Sequence, residues 1–184
     1  MRGRAFPSGP HSRKKTGANL VLIGLPGAGK STVGRALAEL VGAPFIELDE
    51  LIEKRCNATI PDIFKNQGEE GFRDAETRIL KKLKPPEASV VSAGGGVVER
   101  EENRALLRRL GAVVWLRIDG PVAAARCDFS TRPLLACSED PAGKVNELAE
   151  RRNPLYAVMS DYEVEAAQPL EKVVHELQSI WDSH

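Results

Sequence analysis

The stretch 24-GLPGAGKS-31 matches GxxxxGK[ST], and its flanks give the match its meaning. Upstream, 20-LVLIG-24 is a short apolar run ending in glycine, the pattern of a buried strand. Downstream, 30-KSTVGRALAELVG-42 spaces Val33, Leu37 and Leu40 or Val41 at helical intervals and stops at Gly42. Strand, glycine-rich turn and helix in that order build a phosphate cradle. Gly24, Gly27 and Gly29 let the backbone wrap close to oxygen atoms. The N–H groups of the run, with Ala28 and Thr32 among its members, form an anion nest at the positive end of the helix dipole. Lys30 can bridge β- and γ-phosphates, and the Ser31 hydroxyl can ligate Mg²⁺. The stretch predicts a bound nucleoside triphosphate.

Outward from it, strands and helices alternate. The segments 45-FIELD-49, 89-SVVSA-93, 112-AVVWLRI-118 and 161-DYEVEA-166 read as strands. Helices are expected at 50-ELIEKRC-56, at 68-GEEGFRDAETRILKKL-83 and at 100-REENRALLRRLG-111. Others follow from Pro121, at 144-KVNELAERRNPLYAVMS-160 with a break or kink at Pro154, and at 169-PLEKVVHELQSIW-181. The polar, aperiodic segment from Cys127 to about Gly143 reads as a mobile lid. The alternation predicts an α/β fold, a parallel sheet covered by helices on both faces. Without repeat or linker, residues 19–184 read as a single domain.

Composition narrows the rest. The chain has 184 residues, 42% hydrophobic, which suits one domain with its own core and excludes an intrinsically disordered chain. No apolar run approaches the ~20 residues of a membrane span, and no signal peptide follows the first arginines. The 26 basic and 26 acidic residues balance, but residues 1–18 hold five bases and no acid. That stretch reads as a disordered basic leader rather than a nucleic-acid or lipid contact. Cys56, Cys127 and Cys137 form neither a CxxC pair nor an even framework, so reduced thiols and a cytoplasmic location are expected. With His11, His175 and His184 dispersed, no histidine triad or metal site is expected.

Further residues carry chemistry by type and place. In 47-ELDE-50, Glu47 and Asp49 fall two apart, hence on one side of a strand whose carboxyl end borders the ligand crevice. They can serve as base, hydroxyl orienter or holder of metal-bound water, or simply decorate a helix start. The glycines of 94-GGG-96 follow a buried strand and allow a ligand close to the backbone, with Ser92 just upstream within reach of a metal's water shell. Arg73, three residues before Glu76, can be held in one orientation by an ion pair. Arg132 in 131-TRPLL-135 and Arg152 before 153-NPLY-156 can each grip carboxylate or phosphate through two parallel hydrogen bonds.

Taken together, 24-GLPGAGKS-31, Asp49, 72-FR-73, 94-GGG-96, 132-RPLL-135 and 152-RNPLY-156 resemble the shikimate kinase family, from about Asn19 to the last helix. The resemblance implies a nucleoside-monophosphate-kinase-like P-loop fold, α/β/α in three layers, with a five-stranded parallel sheet. It also implies ATP-dependent phosphorylation of the shikimate 3-hydroxyl, with Mg²⁺, by a cytoplasmic monomer on the chorismate route to aromatic amino acids. By the same resemblance Asp49 binds the shikimate hydroxyls and acts as base, Arg73 and Arg152 grip its carboxylate, and Gly94, Gly95 and Gly96 support its polar groups. Phe64, Phe72, Pro133 and Leu134 line the pocket, Arg132 closes on the transferring phosphoryl group, and Arg126 and Pro169 flank adenine. Ser31 holds the metal directly, with Glu47 and Ser92 acting through water. One departure stands out: Glu47-Leu48-Asp49 occupies the place of the family's usual Asp-x-Asp. Two other readings share the P-loop, a gluconate-type metabolite kinase and a non-catalytic nucleotide-binding module.

Overall fold

The computed structural model describes residues 19–86, 88–129 and 132–183. Five parallel strands form one sheet in the order β2-β3-β1-β4-β5. They are β1 (Asn19–Ile23), β2 (Phe45–Glu47), β3 (Val90–Ser92), β4 (Gly111–Arg117) and β5 (Tyr162–Glu165). Every residue of β1 and β3 is buried, so both read as unbroken apolar runs, as strands covered on both faces do. The chain passes from β1 to β2, beyond β3 on one side, and from β3 to β4, beyond β1 on the other. A crevice therefore opens above the carboxyl ends of these two paired neighbours, where Leu22 lies beside Ser92.

Helices α1 (Lys30–Val41), α2 (Leu48–Cys56), α3 (Ile60–Lys82), α4 (Glu101–Leu110), α5 (Gly120–Arg126), α6 (Pro133–Ala136), α7 (Pro141–Met159) and α8 (Leu170–Trp181) fill the connections. Asn19 ties the foot of the sheet together: its side chain donates to the Leu110 carbonyl at 2.8 Å and accepts from the Ser89 N–H at 2.9 Å.

Three expectations need correction. Asp49 is not on a strand: β2 ends at Glu47, and Asp49 lies in the first turn of α2, because Leu48 and Ile52, four apart, are both buried on a helical face. The helix expected from Gly68 starts at Ile60, where the Thr59 hydroxyl caps the Asp62 N–H at 3.2 Å. Gly68, at φ 69°, makes a kink within it. The segment 127–143 is not one aperiodic loop. Pro133–Ala136 form α6, with Leu135 in the core, and α7 begins at Pro141, capped by Asp140 onto the Gly143 N–H at 2.8 Å. Ser130 and Thr131, like the leader, lie outside the described residues. Of the break or kink expected at Pro154, the break does not occur: α7 runs through it.

Candidate active site

The glycine-rich turn is shaped by what surrounds it. Gly27 has φ 83°, and a Cβ there would stand 2.2 Å from the Ala123 carbonyl oxygen, so only glycine fits. Lys30 is buried and its Nζ donates to the Gly24 and Leu25 carbonyls at 2.9 Å each, folding the ammonium back across the turn. Burial above all, then the Arg132 charge, lowers the Lys30 pKa to about 8, against the opposing pull of Asp49 and Glu47.

Around this turn lies a cleft of ≈ 570 Å³ lined by Gly27 to Val33, Glu47, Asp49, Gly94, Gly95 and Arg132. Its far wall carries Arg126 and Pro169. Arg126 is fixed there by donating to the Ala166 carbonyl at 2.7 Å. Cys127, Asp128 and Gln168 share this wall, a place the sequence did not assign them.

Glu47 and Ser92 end two paired strands at the same level, Glu47 opposite Ser92 in the register. Burial pushes the Glu47 carboxyl up, partly offset by the adjoining hydroxyls of Ser31 and Ser92. Glu47 Oε2 and Ser92 Oγ are buried without a hydrogen bond among the described residues. Two orphaned oxygens beside Ser31 fit the water shell of a Mg²⁺ carried by phosphates, which needs few protein ligands. The described residues hold no cluster of three carboxylate, histidine or cysteine ligands that would bind a metal without a nucleotide.

A second, smaller cavity of ≈ 70 Å³ opens beside the first. Its walls include Phe64, Phe72, Arg73, Glu76, Gly94 to Gly96, Arg132, Pro133, Leu134 and Arg152. The Phe64 and Phe72 rings pack 4.8 Å apart. Arg73, 5% exposed, donates to Glu76 Oε2 at 3.1 Å and to Glu69 Oε1 at 3.3 Å. Its Nε is buried without a hydrogen-bond partner. Glu76 is fully buried; that burial lifts its pKa to about 7, with Arg73 opposing. Arg152 comes from α7 on the other side, 2% exposed, with Nη2 likewise orphaned. One turn on, Tyr156 donates its hydroxyl to the Gly95 carbonyl, which explains Arg and Tyr four apart in 152-RNPLY-156.

Gly94 and Gly96 leave room for side chains of the site rather than serving backbone conformation. A Cβ on Gly94 would stand 2.8 Å from Asp49 Oδ1, and one on Gly96 would stand 2.0 Å from Arg73 Nη2. Asp49, Gly94, Gly95 and Arg132 line both cavities. At this junction Arg132 Nη1 donates to Asp49 Oδ2 at 3.1 Å. The arrangement offers an anion cradle, a buried cation and a carboxylate on one side. On the other it offers a compartment holding two buried guanidinium groups with unsatisfied donors. It can bring a phosphoryl group and an anionic, hydroxyl-bearing molecule together at Asp49 and Arg132.

This chain is similar to known proteins along most of its length. A family model described as shikimate kinase matches residues 26–181. The shikimate kinase of Neisseria meningitidis serogroup C is 44% identical over 162 residues, covering 87% of this chain and 94% of that protein. The solved shikimate kinase from Acinetobacter baumannii in complex with shikimate matches with TM-score 0.85 at 38% identity, covering 90% of this chain and 93% of that one. A gluconokinase from Sinorhizobium meliloti 1021 covers similar lengths, 91% and 93%, but with TM-score 0.60 and 25% identity.

Proposed function

The chain belongs to the shikimate kinase family, and on that premise we propose that it transfers the γ-phosphoryl group of ATP to the 3-hydroxyl of shikimate, giving shikimate 3-phosphate and ADP. The observation that carries this reading is the meeting of the two cavities at Asp49, Arg132 and Gly94–Gly95. ATP takes the larger cleft, its phosphates on the Gly24–Thr32 backbone and Lys30, its base between Arg126 and Pro169. Shikimate takes the smaller cavity, its carboxylate on Arg73 and Arg152, its ring against Phe64, Phe72, Pro133 and Leu134. Asp49 orients the 3-hydroxyl and accepts its proton as the oxygen attacks phosphorus. Arg132, drawn from Asp49 toward the phosphoryl oxygens, offsets the charge that spreads over them.

Mg²⁺, when bound, neutralises and orients the phosphate oxygens; Ser31 would hold it, with Glu47 and Ser92 acting through water. Glu47→Asp preserves activity, since the charge stays. Glu47→Ala raises the Mg²⁺ concentration for half-maximal rate by about tenfold. A Mg²⁺ titration of initial rates checks both, and an unchanged requirement in Glu47→Ala would remove Glu47 from the metal's surroundings.

Arg132 to Leu135 form one wall of the smaller cavity. That wall draws back to admit shikimate and closes to exclude water, which would otherwise accept the phosphoryl group. The lid role expected for 127–143 thus rests on Arg132 and α6. The enzyme is taken to act as a cytoplasmic monomer, without nucleic acid or membrane. No described helix is long and apolar enough to cross a membrane.

The Lys30 pKa of about 8 has a consequence for ATP. Only the ammonium form attracts phosphate. Below about pH 8 the free enzyme is poised, and above it the KM for ATP rises, by up to about tenfold per pH unit. Initial rates between about pH 6.5 and about pH 9.5 test this, and a flat KM would contradict it.

Phosphorus NMR of the product tests the reaction itself. One new phosphate ester, on the 3-hydroxyl, is expected; none, or one on another oxygen, would overturn the assignment. Against a non-catalytic module, Lys30, Asp49 and Arg132 are all present and converge. Against a gluconate-type kinase stands the weaker likeness to that structure.

A further inference from the structure

Glu99 lies outside every motif described above, yet it is in contact with the acceptor clamp. It closes the short 3-10 turn Val97–Glu99 that follows the three glycines. Val97 and Val98 are fully buried, the Glu99 N–H donates to the Gly96 carbonyl at 3.1 Å, and Arg104 Nη1 reaches the carbonyls of Val98 and Glu99 at 2.6 and 3.2 Å. The backbone that carries Glu99 is therefore fixed. Its side chain meets Arg152, whose Nε donates to Glu99 Oε1 at 2.6 Å. Arg152 Nη2 stands 2.6 Å from the same oxygen but off the hydrogen-bonding direction, and remains buried without a hydrogen bond. Arg151, half-exposed, completes the group from outside at 2.8 Å.

A guanidinium has five N–H donors in a rigid plane, so holding one edge fixes where the others point. We propose that Glu99 is a positioning residue for acceptor recognition: it anchors the Nε side of Arg152 so that Nη2 is presented to the acceptor's carboxylate. The role parallels that of Glu76 and Glu69, which occupy both terminal nitrogens of Arg73 and leave its Nε open. Each clamp arginine is thus pinned by its own acids while one of its buried nitrogens makes no hydrogen bond. Arg152, Glu99 and Arg151 together keep a net positive charge, so the incoming carboxylate meets attraction rather than a neutralised pair. Burial would push the Glu99 carboxyl up, but Arg152 first, then Arg73 and Arg151, hold it below its usual value, so it stays ionised in this role.

The inference rests on the shikimate reading of the site, and its test separates the two. Glu99→Gln keeps the shape and removes the charge. It is measured with shikimate and with the analogue whose carboxylate is reduced to a primary alcohol. Glu99→Gln is expected to raise the KM for shikimate about tenfold, to leave the KM for ATP within about twofold, and to change the KM for the alcohol little. Arg151→Gln, which leaves the Arg152–Glu99 contact intact, is expected to stay within about twofold of the parent for shikimate. Equal rises for both acceptors, a raised KM for ATP, an unchanged or lowered KM for shikimate, or an Arg151→Gln effect as large as that of Glu99→Gln would each overturn the proposal. A parent enzyme inactive on shikimate would overturn the functional reading as well; an active parent with an indifferent Glu99→Gln overturns this inference alone.

Discussion

Arg132→Ala lowers kcat by roughly 10³-fold or more, with a much smaller change in the KM for shikimate. The reason is positional. Arg132 precedes α6, lines both cavities and holds Asp49 at 3.1 Å, so its guanidinium stands where the phosphoryl group must cross. A cation there acts most on charge that develops during transfer, and an interaction made chiefly in the transition state appears in kcat. Because its side chain is 41% exposed, its removal costs the fold little. Removal also lifts one of the charges that lower the Lys30 pKa. The KM for ATP in Arg132→Ala should then begin to rise at a higher pH than in the parent. Steady-state kinetics across pH reads both effects, and a kcat within tenfold of the parent would remove Arg132 from the phosphoryl site.

The second large effect is on shikimate binding. Arg152→Ala and Arg73→Ala each raise the KM for shikimate strongly while leaving that for ATP nearly unchanged. Losing a buried, charge-assisted contact to a carboxylate costs on the order of 2–4 kcal/mol, or roughly 30- to 1000-fold. The two variants differ in what they leave behind. Removing Arg73 strands Glu76, fully buried and with its pKa already near 7, which then takes up a proton. Removing Arg152 leaves Glu99 with Arg151 beside it. Arg152→Ala is therefore the cleaner probe, and Arg73→Ala should also lose thermal stability. Retention of the parent KM in both would refute the clamp.

How much of this was legible in the chain depends on how local the signal is. The Gly24–Ser31 cradle is contiguous, so its strand, turn and helix could be read directly. The alternation of elements was enough for the parallel sheet, while the five-stranded form came from the family resemblance. Asp49 was found but set on the wrong element. The run 45-FIELD-49 continues an alternating pattern, and only the Leu48–Ile52 spacing, four apart, signals that a helix has begun. The first half of α3 was missed because Gly68 interrupts its periodicity. The signal that could have found it is Thr59 with Pro61 and Asp62, a cap and a first turn. In the same way Asp140-Pro141 marks the start of α7 inside what read as a loop.

The site followed the same rule. Arg73 and Arg152 could be paired only through the family resemblance, since one stands on α3 and the other on α7. Glu99 had no signal of its own: in 99-EREE-102 it reads as one more acid at a charged helix start, and its partners stand more than fifty residues away. The junction of the two cavities likewise depends on packing, because Asp49 and Arg132 are brought together from 83 residues apart.

The central claim is that this junction joins ATP to one acceptor, shikimate. Release of ADP, followed by a coupled assay with shikimate, with gluconate and with no acceptor, tests it most directly. The account predicts rapid release with shikimate and only background release with gluconate or water. Equal release under all three conditions, or faster release with gluconate, would contradict it.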